Sequence, residues 1–178
     1  MPEKQIPVYL ERTLDTEMPE LRPYLWAGAS VLDVGCGPGT ITLDVAEAVQ
    51  PGTVVGIDID EPMISKSIEL AAESGYTTTT FKVMDTHSLD FPDQTFDLVY
   101  SHTAFHSFRD PVVALVEQKR VTKPDGWVIA AGVRDWGLVP RYPPTPIWDR
   151  VYEAWVRYEA FIRDHPESDM PKPLAERN

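Results

Sequence analysis

Residues 31–40, VLDVGCGPGT, place Gly35, Gly37 and Gly39 at alternate positions directly after a short apolar run. Glycines so spaced let the backbone come close to a ligand, and a helix opening behind them would favour an anion. The dinucleotide pattern Gly-x-Gly-x-x-Gly is not met, because Thr40 stands at its last place. Asp33 lies just upstream and the turn holds no Lys or Arg, so its charge suits a cationic or zwitterionic ligand better than a pyrophosphate. Asp58 follows Gly35 by 23 residues. At that spacing, a carboxylate ending a second strand can take both hydroxyls of a ribose. Asp85, then Ser101 and His102, close the next two apolar runs. A nucleoside with a cationic or zwitterionic portion fits these residue types.

The elements that must position them alternate. SVLDVG, TVVGID, TTTTFKVMD, TFDLVYS and GWVIAAGV read as strands. Ile41, Val45, Ala48 and Val49 recur at helical spacing after the first, closed by Pro51-Gly52. After the second, Asp60 supplies an N-cap, Pro62 an early helical proline and Gly75 a C-cap to a helix carrying Ile64, Ile68 and Ala71. Asp110-Pro111 opens a helix running through Val121. The link between the third and fourth strands is long and shows little helical pattern. Strands separated by helices predict right-handed crossovers and a doubly wound, mostly parallel α/β sheet flanked by helices. Ligands of such sheets bind outside the carboxyl ends of the strands, where Asp33, Asp58 and Asp85 all fall.

At 178 residues and 43% hydrophobic content, one domain with a proper core is expected rather than two. The formal charge of −12, without a local Lys/Arg cluster, disfavours nucleic acid and anionic membranes as partners. The start, MPEKQIPVYLERTL, lacks a secretory pattern, and the longest apolar run, residues 127–133, is too short to span a bilayer. A single cysteine, Cys36, excludes an intramolecular disulfide or a cysteine-based metal cluster and fits a reducing, cytoplasmic setting.

VLDVGCGPGT resembles the first motif of class I S-adenosylmethionine-dependent methyltransferases. VVGIDID, VMDTHSLDFPDQTFDLVYSHTAFHSFRDP and RVTKPDGWVIAAGVRDWG resemble later segments of the same family in order, within its small-molecule, ubiquinone/menaquinone-type branch. The resemblance implies a Rossmann-like fold and S-adenosylmethionine as cofactor, with S-adenosylhomocysteine as product and no metal. Carried over by position, it implies that Gly35, Gly37 and Gly39 approach the methionine part and that Asp33 holds its ammonium. Asp58 would bind the ribose, Ile59 flank the adenine, and Asp85 accept from the adenine amino group beside Thr86. Ser101 and His102 would offer backbone and side-chain atoms near the methionine end. The acceptor would be a small, largely apolar molecule methylated on oxygen, carbon or sulfur.

In-line displacement at a sulfonium mainly requires alignment and exclusion of water. If the acceptor is acidic, His102 and His106 are the base candidates, while His106 and Trp136 are candidates for acceptor contact. The i, i+4 histidines lack a third metal ligand, and Cys36 is a poor nucleophile candidate within the glycine turn. The single domain of residues 1–178 divides into an N-terminal helical cap (1–26), a cofactor-binding core (27–135) and a Pro-rich loop with an amphipathic helix (136–178) that would cover the acceptor pocket. Related sheets end in an edge hairpin for which no strand pattern follows here. A homodimer or partner chain at the incomplete edge is therefore expected, and a catalytically silent, cofactor- or partner-binding subunit is the alternative function.

Overall fold

The computed structural model describes residues 9–131. Within them, β1 (Ser30–Val34), β2 (Thr53–Asp58), β3 (Thr79–Val83), β4 (Phe96–His102) and β5 (Thr122–Ala131) form one sheet in the order β3-β2-β1-β4-β5. Every pairing is parallel. The chain winds outward from β1 to β3 and then returns to β4 on the other side of β1, so the strand order reverses between β1 and β4. A crevice opens beyond the carboxyl ends at such a reversal. Register brings those ends level: Asp33 lies opposite Gly56 on one side and Tyr100 on the other, and Gly56 lies opposite Phe81.

Helices α2 (Thr40–Ala48) and α3 (Glu61–Ser74) make the crossovers from β1 to β2 and from β2 to β3. Gly39, at φ +83°, starts α2, and Gly75, at φ +72°, ends α3, both in the left-handed region that glycine enters without a Cβ penalty. Asp60 occupies the N-cap of α3 as the sequence suggests, although its side chain makes no capping hydrogen bond. The buried face of α3 differs from the expected one. Met63, Ile64 and Ser67 are buried and Ile68 is exposed, so the inward stripe lies one residue earlier along the helix than the Ile64-Ile68-Ala71 reading.

Two cores sandwich the sheet. On one face, Val31, Val54, Leu98 and Tyr100 pack with Ile41 and Val45 of α2 and with Leu14, Leu21 and Tyr24 of an N-terminal segment. That segment comprises α1 (Leu14–Glu17) and a 3-10 stretch (Pro19–Tyr24). On the other, Leu32, Val34, Ile57 and Val99 pack with Leu89, Phe96 and Val121, the last from α4 (Pro111–Val121). Asp110 caps α4 by accepting the N–H groups of Val112 and Val113 at 3.0 and 3.1 Å.

Residues 84–95, which link β3 to β4, contain no helix. Arg120 of α4 holds this link instead. Its guanidinium donates to the carbonyls of Leu89 and Phe91 at 2.8 and 2.9 Å and pairs with Glu117 and Asp93. The Glu117 carboxylate accepts the Leu89 N–H at 2.9 Å. Buried backbone groups that lack a ladder need such partners.

The fifth strand begins earlier than GWVIAAGV suggests. β5 starts at Thr122 opposite Phe96, yet Trp127 lies opposite Leu98, so three extra residues are absorbed around KPDG. Gly126 sits where a Cβ would come within 2.6 Å of the Asp97 carbonyl oxygen. The expected loss of the edge hairpin, the covering helix and Trp136 lie outside the described residues. No helix among the described residues is long and apolar enough to cross a membrane.

Candidate functional site

A cavity of about 360 Å³ opens at the carboxyl ends of the strands. That volume suits a small organic ligand. Its lining includes Asp33, Gly35, Gly37, Asp58, Ile59, Asp85, Thr86 and His102, all singled out from the sequence.

The glycine turn is pinned to β2. The N–H groups of Gly35 and Cys36 both donate to the Ile57 carbonyl, at 2.8 and 2.9 Å, and Gly37 N–H donates to Asp58 Oδ2 at 2.9 Å. Its three glycines serve different ends. A Cβ on Gly35 would strike Ala104 Cβ at 2.5 Å, and one on Gly39 would strike the Phe81 ring and Ser67 Cβ at 2.8 Å. One on Gly37 would meet nothing within 4 Å and would project into open space. Gly37 is therefore the place where bare backbone faces room for a ligand. Gly39 does not line the cavity and instead permits α2 to pack closely on β3 and α3.

Of the three strand-end carboxylates, Asp33 is buried and its Oδ2 accepts from Thr42 Oγ1 at 2.6 Å and Tyr100 Oη at 2.7 Å. Burial pushes its pKa up to about 7, with the Asp58 charge adding to the rise and the two hydroxyl donors opposing it. Asp58 Oδ1 accepts the Asp60 N–H at 3.0 Å, so both of its oxygens take backbone donors. Asp85 is more open, with a side chain 40% exposed, and its Oδ1 receives His87 N–H at 2.9 Å. This bond and the His87 side chain lower its pKa.

Between Asp58 and Asp85, Ile59 presents an apolar side chain that is 72% exposed. Thr86 is only 8% exposed, and its Oγ1 has no hydrogen-bond partner among the described residues. A buried hydroxyl without a partner is uncommon in a folded chain.

Ser101 is buried outside the cavity lining, whereas its neighbours Tyr100 and His102 both reach the cavity. Strand alternation explains the split, because adjacent side chains on β4 point to opposite faces. The His102 pKa is lowered, first by burial and then by the Arg12 charge. His106 falls in a 3-10 turn (Phe105–Ser107) beside the cavity-lining Ser107. Burial raises the Cys36 thiol well above its ordinary pKa, with Asp33 and Asp58 adding to the effect, which disfavours a nucleophilic thiolate. Among the described residues, no group of three or more potential metal ligands converges.

Tyr9, Arg12, Tyr100 and His87 also line the cavity and were not picked out by sequence. Among the described residues, Arg12 is the single Lys or Arg in its lining. The guanidinium stacks 4.5 Å from the Tyr9 ring centroid, and its Nε lies 4.0 Å from Glu17. Two bonds fix this segment across the start of α2: Thr40 Oγ1 donates to the Tyr9 carbonyl at 3.2 Å, and Leu14 N–H donates to Asp44 Oδ2 at 2.8 Å. A lone arginine in YLERTL carries no local signal, because only the tertiary fold brings it to the turn.

Residues 26–155 match the family model described as "Methyltransferase domain". The chain is 38% identical over 120 residues to a nocamycin O-methyltransferase of Saccharothrix syringae, covering 64% of this chain and 43% of that protein. It is 34% identical over 132 residues to a demethylmenaquinone methyltransferase of Anoxybacillus flavithermus, covering 74% and 53%. The chain thus spans about half the length of these curated relatives. Among solved structures, a SAM-dependent methyltransferase from Aquifex aeolicus superposes with a TM-score of 0.70 at 26% identity, over 82% of this chain and 79% of that one. The sheet order, the glycine turn with its strand-end carboxylates and the matched length agree, and the chain belongs to the methyltransferase domain family.

Proposed function

We propose that this chain binds S-adenosylmethionine in the strand-end cavity and transfers its methyl group to an oxygen, carbon or sulfur of a small, largely apolar acceptor. The observation that carries the reading is one cavity lined by Asp33, Asp58, Asp85 and Arg12 around the open face of Gly37. The cofactor has a group to meet each of them: an ammonium, two ribose hydroxyls, an exocyclic amine and a carboxylate. The exposed Ile59 side chain suits the flat apolar face of a purine.

In this reading Asp58 holds the ribose, Asp85 the adenine amine, Asp33 the ammonium and Arg12 the carboxylate. S-adenosylmethionine supplies an activated methyl group on a sulfonium. Because the leaving group needs no protonation, the chain's part is to hold the donor, align the acceptor and exclude water. His102, kept toward its neutral form by burial, can accept a proton from an acidic acceptor. His106 and Trp136 are the proposed acceptor contacts. Calorimetric titration with S-adenosylmethionine and with NAD tests the reading: binding of the first is expected, and binding of NAD alone, or of neither, would overturn it.

A further inference from the structure

The loop after β3 carries a histidine that the strand-end carboxylates do not account for. The His87 side chain is 11% exposed, and its ring meets Phe108 edge-on with centroids 6.3 Å apart. Its Nδ1 lies 2.5 Å from Asp85 Oδ1, while its Nε2 accepts the Asp110 N–H at 3.0 Å. A nitrogen that accepts a hydrogen bond carries no proton, so the proton of the neutral ring sits on Nδ1 and points at Asp85. Asp110 is itself fixed as the cap of α4. The ring therefore cannot turn away from Asp85 without losing its bond to the start of that helix.

This arrangement makes the two oxygens of Asp85 unequal. Oδ1 receives two donors from His87, the backbone N–H and the ring. The exposed Arg109 guanidinium lies 4.0 Å from Oδ2. A carboxylate held this way presents one oriented acceptor to the cavity, whereas an untethered one could rotate to suit several ligands.

We infer that His87 is a positioning residue that sets base specificity: by engaging Asp85 Oδ1 through Nδ1–H, it presents Oδ2 to the exocyclic amine of a 6-aminopurine. This rests on the reading of the cavity as an S-adenosylmethionine site. A 6-oxopurine places a carbonyl oxygen where the amine would stand, and two acceptors then face each other. Discrimination depends on Oδ2 being unable to swing aside.

Two substitutions separate the bonds of His87. His87→Asn keeps a donor near the Nδ1 position and loses the acceptor toward Asp110. His87→Gln reaches toward Asp110 with its amide oxygen and loses the Nδ1 donor. The experiment is calorimetric titration of the full chain and both variants with S-adenosylhomocysteine and S-inosylhomocysteine, read as the affinity ratio within each protein, so that a smaller folded fraction cancels. The natural chain should prefer the adenosyl ligand at least tenfold, with His87→Asn keeping most of that preference and His87→Gln falling to within about threefold. The opposite ranking, or equal weakening for both ligands in both variants, would show that His87 only anchors α4. A natural chain that binds both ligands equally would overturn the inference while leaving the cavity reading intact, and one that binds neither would overturn both.

Discussion

The carboxylate of Asp58 receives the backbone N–H of Gly37 at 2.9 Å, across 21 residues of chain. The strand-end acid and the glycine turn therefore support each other before any ligand arrives, and Asp58 is already oriented at the cavity. Replacing Asp58 with Ala removes both the support and the proposed ribose acceptor. S-adenosylmethionine affinity should fall by about 1 to 3 kcal/mol. Asp58→Asn, which retains one carbonyl oxygen for Gly37, should lose less. Unchanged calorimetric affinity in Asp58→Ala would refute the ribose role.

Gly37 and Gly39 are two residues apart and should fail differently. Both have positive φ, +54° and +83°, so alanine strains the backbone at either position. Only at Gly39 does the added Cβ also collide, with Phe81 and Ser67 at 2.8 Å. Gly39→Ala should cost stability by about 2 kcal/mol or more, seen as a lowered urea midpoint. Gly37→Ala should cost about 1 kcal/mol of stability but lose most of the cofactor affinity, because its methyl occupies the open face. Equal stability losses with intact binding in Gly37→Ala would remove that glycine from the site.

Much of this was legible because local patterns and topology agree. The strand runs ending in Asp33, Asp58 and His102, the helix opened by Asp60-Glu61-Pro62 and the Asp110 cap all appear where their residue types place them. A doubly wound sheet then puts the strand ends on one rim. The sequence misled where spacing alone cannot choose a face: Ile68 turns outward. It was silent where contacts span long separations. Arg12 reaches the turn only because Thr40 and Asp44 hold its segment down, and the His87 ring is fixed against Asp85 by a bond from Asp110, 23 residues away.

Asp33 predicts two opposed pH trends. Its carboxyl, raised by burial to about 7 from an ordinary value of 3.8, keeps a proton in the folded chain that the unfolded chain has already released. This group's contribution to stability should therefore decline as pH rises from about 4 to about 7 and then level off. A charged Asp33 is what an ammonium needs, so S-adenosylmethionine affinity should rise between pH 6 and 7.5. Asp33→Asn should flatten both trends. Ligand-free melting temperatures and calorimetry across that range provide the check, and a natural chain whose affinity does not change between pH 6 and 7.5 would rule out the ammonium role.

Arg12 brings a positive charge to a cavity whose other charged lining, among the described residues, is Asp33, Asp58, Asp60 and Asp85. An acidic lining repels a ligand carboxylate, so a cofactor with an amino-acid end needs such a cation more than it would in a neutral pocket. The guanidinium is already ordered over Tyr9 and tethered near Glu17, which reduces the conformational freedom lost on binding. Arg12→Met keeps much of the apolar stem while removing the charge. Affinity for S-adenosylmethionine should then fall by roughly ten- to a hundredfold, as expected for a hydrogen bond to a charged group. Affinity for 5′-methylthioadenosine, which lacks the amino-acid end, should change less than about twofold, since each 1.4 kcal/mol is tenfold and no charged contact is lost. Equal losses for the two ligands would mean that Arg12 merely holds the Tyr9 segment in place, and the carboxylate would then need another partner.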